Sequence, residues 1–186
     1  IASCQFFLMT PEDLKASMTR QHYKIVGSHS AVKLCGWLKK SIRGEGVCYK
    51  QKFYGIESHR CLQMTPWIGC PNACRFCWRT IEKNPIKFSN VDEPKDIIMG
   101  SIAAQRLLIN GFPGWEGTNM HRWREANNPN NAAISLTGEP TMYPKIAELL
   151  EEFRKQKFTT FLVTNGQYPE RLEDLNSKAE PSQLYI

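Results

Sequence analysis

The sequence predicts an α/β fold on a mainly parallel sheet, either an open sheet or a (β/α) barrel. Three observations predict it. From Arg60 onward, short apolar runs alternate with stretches of helical period. The apolar runs end in turns rich in Gly, Pro and Asn. Helical stretches fall between successive strands, where parallel neighbours require crossover connections. The 186-residue chain is 41% hydrophobic, which is enough apolar surface for a buried core and excludes a disordered protein. No run approaches the roughly 18 apolar residues of a membrane span, and no signal segment opens the chain. No membrane is therefore expected, and a cytoplasmic location follows by default.

Taken in order, Thr10-Pro11-Glu12-Asp13 sets a capping hydroxyl before a proline and two acids, which starts a helix at about Pro11. A basic helix is expected over 31–43, with Cys35, Leu38 and Ile42 on one face, broken by Gly44-Glu45-Gly46. Residues 61–69 read as the first strand of the alternating region, and 94–110 as a helix closed by Gly111 in a left-handed conformation. Residues 112–131 read as a long polar loop carrying Trp115 and Trp123. A buried strand over 132–136 precedes an amphipathic helix over 143–157, with Ile146, Leu149, Leu150 and Phe153 inward. A strand over 159–164 and a short helix over 169–175 complete the pattern. The chain begins at Ile1, not Met, and Ser182-Gln183-Leu184-Tyr185-Ile186 looks like a strand just begun, so a C-terminally truncated fragment is expected. The expected division is an extension over 1–60 followed by βα units over 61–186.

A formal charge of +6 and a pI near 9.0 suit an anionic partner, and nucleic acid leads because phosphates reward Lys and Arg. Charge alone fits a plain soluble basic protein equally well. Seven cysteines favour metal binding or catalysis in a compartment where disulfides rarely persist. Cys4, alone near the start, reads as an inert thiol.

Cys70-Pro-Asn-Ala-Cys74-Arg-Phe-Cys77 places three thiols directly after the first strand of the alternating region. Thiolates so spaced can hold three corners of an iron-sulfur cube and leave the fourth iron open. Zinc is the competitor, although structural zinc favours four ligands in paired CxxC arrangements and no second pair lies nearby. Thr137-Gly138-Glu139-Pro140 and Thr164-Asn165-Gly166 follow later strands, where a parallel βα fold builds its active site. Each alone is an ordinary strand-to-helix turn; three turns in order after successive strands are not.

The triplet, with Phe76 just before its last cysteine, resembles the signature of the radical S-adenosylmethionine superfamily. The resemblance implies a partial (β/α) radical SAM barrel with a helical, cluster-binding N-terminal extension. It also implies that S-adenosyl-L-methionine binds the open iron and is cleaved to a 5′-deoxyadenosyl radical. Phe76, Gly138, Glu139, Pro140 and Asn165 are the cofactor-binding residues that it implies.

Upstream, Val32-Lys-Leu-Cys35-Gly-Trp37 and Cys48-Tyr-Lys-Gln-Lys-Phe-Tyr-Gly-Ile-Glu-Ser-His-Arg-Cys61 resemble the 4-demethylwyosine synthase family of wybutosine biosynthesis. Gly138-Glu-Pro-Thr-Met-Tyr-Pro144 and Phe161-Leu-Val-Thr-Asn-Gly-Gln167 resemble it too, and matches run from about Thr10 to Tyr185. Without that resemblance, Cys35, Cys48 and Cys61 would pass for scattered buried thiols. With it, they are implied ligands of a second 4Fe-4S cluster. The implied reaction joins two carbons of pyruvate to 1-methylguanosine beside the tRNA anticodon. Family members of the archaeal type lack a flavodoxin domain, so an external electron donor such as a flavodoxin or ferredoxin is expected.

Lys50 matches a family lysine considered as a Schiff-base partner for pyruvate, which requires a free amine, favoured by burial or by nearby positive charge such as Lys52. A solvated or phosphate-binding lysine is the other reading, and an open iron of the second cluster is the other seat for pyruvate, alone or together with Lys50. His59 and Arg60 are candidates to donate hydrogen bonds to sulfur or substrate, and a structural role is an equal reading for His59. Lys39, Lys40, Arg43, Arg122 and Arg124 are candidates for tRNA phosphates, and Trp115 or Trp123 for stacking on a base. Two other functions compete: a radical SAM enzyme with a different substrate, and a non-catalytic zinc or RNA-binding module.

Overall fold

The computed structural model describes residues 10–77 and 88–186, so the expectation for Cys4 lies outside it. Six strands lie side by side in sequence order: β1 (Lys24–Val26), β2 (Ser30–Val32), β3 (Cys61–Thr65), β4 (Asn131–Ile134), β5 (Thr159–Val163) and β6 (Gln183–Tyr185). The strands from β3 to β6 are parallel, as the βα alternation predicts. The pairs β1–β2 and β2–β3 are antiparallel, which the sequence reading missed. Lys24-Ile-Val-Gly-Ser-His-Ser-Ala-Val32 carried the signal: two β-branched runs around a Gly-Ser turn. Gly27 stands there at φ 56°, and the Ser28 N–H donates to Asp92 at 2.6 Å.

The helices are α1 (Pro11–Arg20), α2 (Gly36–Arg43), α3 (Tyr49–Tyr54), α4 (Pro94–Ile109), α5 (Met120–Ala126), α6 (Ile146–Lys155) and α7 (Pro169–Lys178). α1 starts on the expected capping box, in which the Asp13 N–H donates to the Thr10 hydroxyl and the Thr10 N–H to the Asp13 carboxylate, both at 3.1 Å. The helix expected over 31–43 begins only at Gly36. Ala31 and Val32, fully buried, pair with β1 and β3, and strand pairing overrides their helical spacing. Gly111 is right-handed (φ −77°), not left-handed, because the chain runs straight on into a one-turn helix over Phe112–Gly114. The loop expected over 112–131 contains α5, started by the Asn119 side chain accepting from the Arg122 N–H. The helix expected over 143–157 is shorter, since the segment before Ile146 first forms a one-turn helix at Pro140–Met142.

Alternation along the strands sorts the sheet into two faces. Leu62 and Met64 of β3, Ala132 and Ile134 of β4 and Leu162 of β5 pack in the main core with Ile97 and Ile98 of α4 and with Ile146, Leu149, Leu150 and Phe153 of α6. The alternate residues Cys61, Gln63, Ala133, Phe161 and Val163 therefore share the opposite face. The register confirms this, setting Gln63 beside Ala133 and Ala133 beside Phe161.

His29, fully buried at the hairpin, lies 4.6 Å from the Trp67 ring and 5.4 Å from the Tyr143 ring. Nδ1–H donates to the Pro66 carbonyl at 2.6 Å and Nε2 accepts from the Asp92 N–H at 2.9 Å, an arrangement only neutral imidazole can make. Burial holds its pKa below the ordinary value; the Pro66 carbonyl and Asp92 oppose that shift and Lys15 reinforces it. The unfolded imidazole thus takes up its proton first, near pH 6.5. Stability from this group is complete above that pH and is lost as the pH falls through the lower, folded value. Thermal unfolding midpoints measured from pH 7.5 to 5 will fall, and His29→Gln will show a shallower fall.

Candidate functional site

The first site sits where a parallel βα fold leaves its open end, beyond the C-terminal ends of β3, β4 and β5. A cavity of about 340 Å³ there is lined by Cys70, Cys74 and Cys77 together with Gly138, Glu139, Pro140 and Asn165. None of the three thiols is in a disulfide, and the Cys77 N–H donates to the Cys74 carbonyl at 3.0 Å, closing a tight turn that gathers them. Phe76 also lines the cavity but is 89% exposed. Among the described residues lining the cavity there is no histidine or fourth cysteine, so the donor set fits a three-cornered cube with one open iron better than four-coordinate zinc.

Gly138 is required by close approach. At φ 67° its backbone lies so near the segment before Cys70 that a Cβ would stand 2.0 Å from the Trp67 carbonyl oxygen. The Glu139 N–H then donates to the Gly69 carbonyl at 2.8 Å, tying this turn to the cysteine loop. The Glu139 side chain, 2% exposed, accepts from the Thr141 N–H (3.0 Å), the Thr141 hydroxyl (2.6 Å), the Thr164 hydroxyl (2.6 Å) and the Asn165 N–H (2.8 Å). One carboxylate thus locks the turns after β4 and β5 into a single wall, a role that sequence spacing did not reveal. Glu139→Gln turns an acceptor into a donor facing donors and is expected to cost about 1.5–3 kcal/mol. Urea unfolding of the variant beside the unaltered protein measures it.

The second site lies lower on the same face. A cavity of about 240 Å³ is lined by Cys35, Cys48, Cys61, Lys50, Gln63 and Ser135, among others. Cys35 and Cys48 occupy the N-caps of α2 and α3. The Cys35 sulfur accepts from the Leu38 N–H at 3.2 Å, yet burial raises its pKa. Burial likewise pushes the Cys61 thiol up to about 12, with Cys35 adding to the shift and Lys50 opposing it. Three free thiols around one cavity fit a second three-cysteine cluster by donor type and number.

Lys50 is 9% exposed, and its ammonium group stands 4.4 Å from the centre of the Phe161 ring. Tyr54 packs edge-on against the same ring, and its hydroxyl oxygen accepts from the Tyr185 hydroxyl at 3.2 Å. Sequence spacing brought Lys50 forward but missed Gln63 and Ser135. Counting alternately along β3 from Cys61, and back along the chain from Thr137, would have found both.

Other candidates sit elsewhere. His59 pairs with Glu125 at 2.9 Å, while Arg60 donates to Glu57 and to the Asn128 carbonyl, both at 2.9 Å. These bonds tie the segment before β3 to α5 and the turn after it, and neither side chain lines the cavity of Cys35, Cys48 and Cys61. Trp123 gives its indole N–H to the Ile109 carbonyl and Arg122 donates to the Ser41 carbonyl, so both brace α5. Trp115 is 44% exposed, with the Arg43 guanidinium 4.4 Å from its ring centre, and Lys40 lies 4.9 Å from that of Trp37. Among the described residues no helix is long and apolar enough to cross a membrane.

No family model matches the chain. The S-adenosyl-L-methionine-dependent tRNA 4-demethylwyosine synthase of Pyrococcus horikoshii is 50% identical over 183 residues, which is 95% of this chain and 53% of the relative. The protein of that name from Arabidopsis thaliana is 46% identical over 168 residues, 89% of this chain and 26% of the relative. A solved structure of TYW1 with a lysine-pyruvate adduct bound matches at TM-score 0.83 and 42% identity, covering 96% of this chain and 58% of that one. A crystal structure of archaeal TYW1 matches at TM-score 0.77 and 40% identity, with 96% and 59% covered. The chain spans about half the length of the archaeal relatives it matches.

Proposed function

We propose that this chain, a homologue of the tRNA 4-demethylwyosine synthases along 95% of its length, carries the reaction centre of a radical S-adenosylmethionine enzyme that builds the tricyclic base of tRNA from 1-methylguanosine and pyruvate. The single observation that carries the reading is two cavities, each lined by three cysteines outside any disulfide, on one face of one sheet. Cys70, Cys74 and Cys77 hold one 4Fe-4S cluster; Cys35, Cys48 and Cys61 hold the other. When bound, the first cluster supplies the electron that cleaves S-adenosyl-L-methionine and so allows a hydrogen atom to be taken from the methyl group of 1-methylguanosine, which has no acidic proton.

The chain's own residues do the positioning. The turn at Gly138, Glu139 and Pro140 and the turn at Asn165 shape the wall against which the cofactor lies, with Phe76 at its rim. Lys50 provides the amine for pyruvate: its nitrogen bonds to the ketone carbon and the carbonyl oxygen leaves as water. The lysine-pyruvate adduct of the similar TYW1 structure supports this assignment. The Phe161 ring and the surrounding thiols keep bulk water from that nitrogen, since Lys50 is 9% exposed. An external flavodoxin or ferredoxin delivers the electron.

The test is anaerobic incubation of the protein with tRNA carrying 1-methylguanosine, S-adenosyl-L-methionine, pyruvate and a reductant, followed by nucleoside analysis. A tricyclic nucleoside is expected, from protein holding about eight irons per chain. Zinc without iron, or no tricyclic product, overturns the proposal.

A further inference from the structure

Both cavities open on the sheet face that carries Cys61, Gln63, Ala133 and Phe161, and they differ only in height along the strands. On the segment running from β4, Ala133 lines the lower cavity alone and Thr137 the upper alone. Ser135, midway between them, is the single described residue lining both. β5 repeats the arrangement: Phe161 lies under the Lys50 nitrogen, and Val163, two residues on, lines the upper cavity. Two residues of strand span about 6.6 Å, so the floor of one site and the roof of the other are about one side chain apart.

We infer that Ser135 is the positioning residue at the junction of the two cavities, where its small side chain leaves the passage through which the methyl carbon of the base meets the carbon held on Lys50. The inference rests on the proposed function. It adds that the coupling of the two halves of the reaction depends on the volume at this position. Ser135 is only half-buried, lines both cavities and lies outside the hydrophobic clusters, so a larger side chain here narrows the space between the cavities and does not overfill the core.

The test is a size series, Ser135→Ala, Ser135→Val and Ser135→Leu, with three readouts. 5′-Deoxyadenosine release reports the upper site, borohydride trapping of pyruvate on Lys50 followed by mass spectrometry reports the lower, and tricyclic nucleoside reports their coupling. Ser135→Leu is expected to raise the ratio of 5′-deoxyadenosine to tricyclic product by about 100-fold, with Ser135→Val intermediate, because misplacement of reacting atoms by about 1 Å has that scale of effect. Ser135→Ala, the conservative variant, restores coupling. An unchanged ratio in both Ser135→Val and Ser135→Leu overturns the inference. So does loss of trapping or of cleavage in step with product, which makes Ser135 a part of one site only. If the unaltered protein neither cleaves S-adenosyl-L-methionine nor traps pyruvate, the assignment of the cavities itself is wrong, and the inference falls with it.

Discussion

Cys74→Ala will fold and will release no 5′-deoxyadenosine from S-adenosyl-L-methionine. Its thiol is one of three lining the upper cavity, and two thiols cannot hold a cube that leaves one iron open. Disturbing the neighbours of a metal ligand already costs 10- to 100-fold, so deleting the ligand is expected to remove cleavage by well over about 100-fold. The thermal midpoint of the iron-free protein will barely move, because Cys74 lies in a turn outside the hydrophobic clusters. Iron should drop from about eight to about four per chain. Cleavage at the normal rate in this variant would remove the upper cavity from the chemistry.

Cys48→Ala is the complementary experiment, and the structure makes it the cleanest of the three lower cysteines to replace. Cys48 sits at the N-cap of α3 without capping through its side chain, and the backbone N–H that holds it, bonded to the Ser58 hydroxyl at 2.9 Å, survives the change. Cys35 also caps α2, and Cys61 is packed at 8% exposure, so replacing either would mix a folding cost with the chemical one. The Cys48 variant is expected to keep cleaving S-adenosyl-L-methionine while tricyclic product falls by more than about 100-fold, the scale set by losing a ligand and not a neighbour of one. Normal product would defeat the role of the second cluster.

Much of this site was legible along the chain. The Cys70 triplet and the turns at Gly138 and Asn165 stand out as residues, whereas Cys35, Cys48 and Cys61 stand out only through a family resemblance; each group lines a cavity. What misled was local pattern competing with distant partners. Ala31 and Val32 have helical spacing yet pair as a strand, because β1 and β3 offer them hydrogen bonds that spacing cannot see. His59 and Arg60 flank Cys61 and so looked like parts of its site, but Glu125 and Asn128, more than sixty positions away, claim them.

By itself, then, the order of residues determined which chemistry is present: the thiols, the Lys50 amine, the glycine at the turn after β4, and the βα alternation that builds a parallel sheet. Only the tertiary structure decided how those groups stand to one another. Strand register sets Gln63 beside Ala133 and Ala133 beside Phe161, putting Lys50, Ser135 and both sets of cysteines on a single face. Register comes from backbone bonds between segments distant in sequence, and a slip of one residue would turn the strand side chains Cys61, Gln63, Ala133 and Phe161 to the other side of the sheet, away from Lys50.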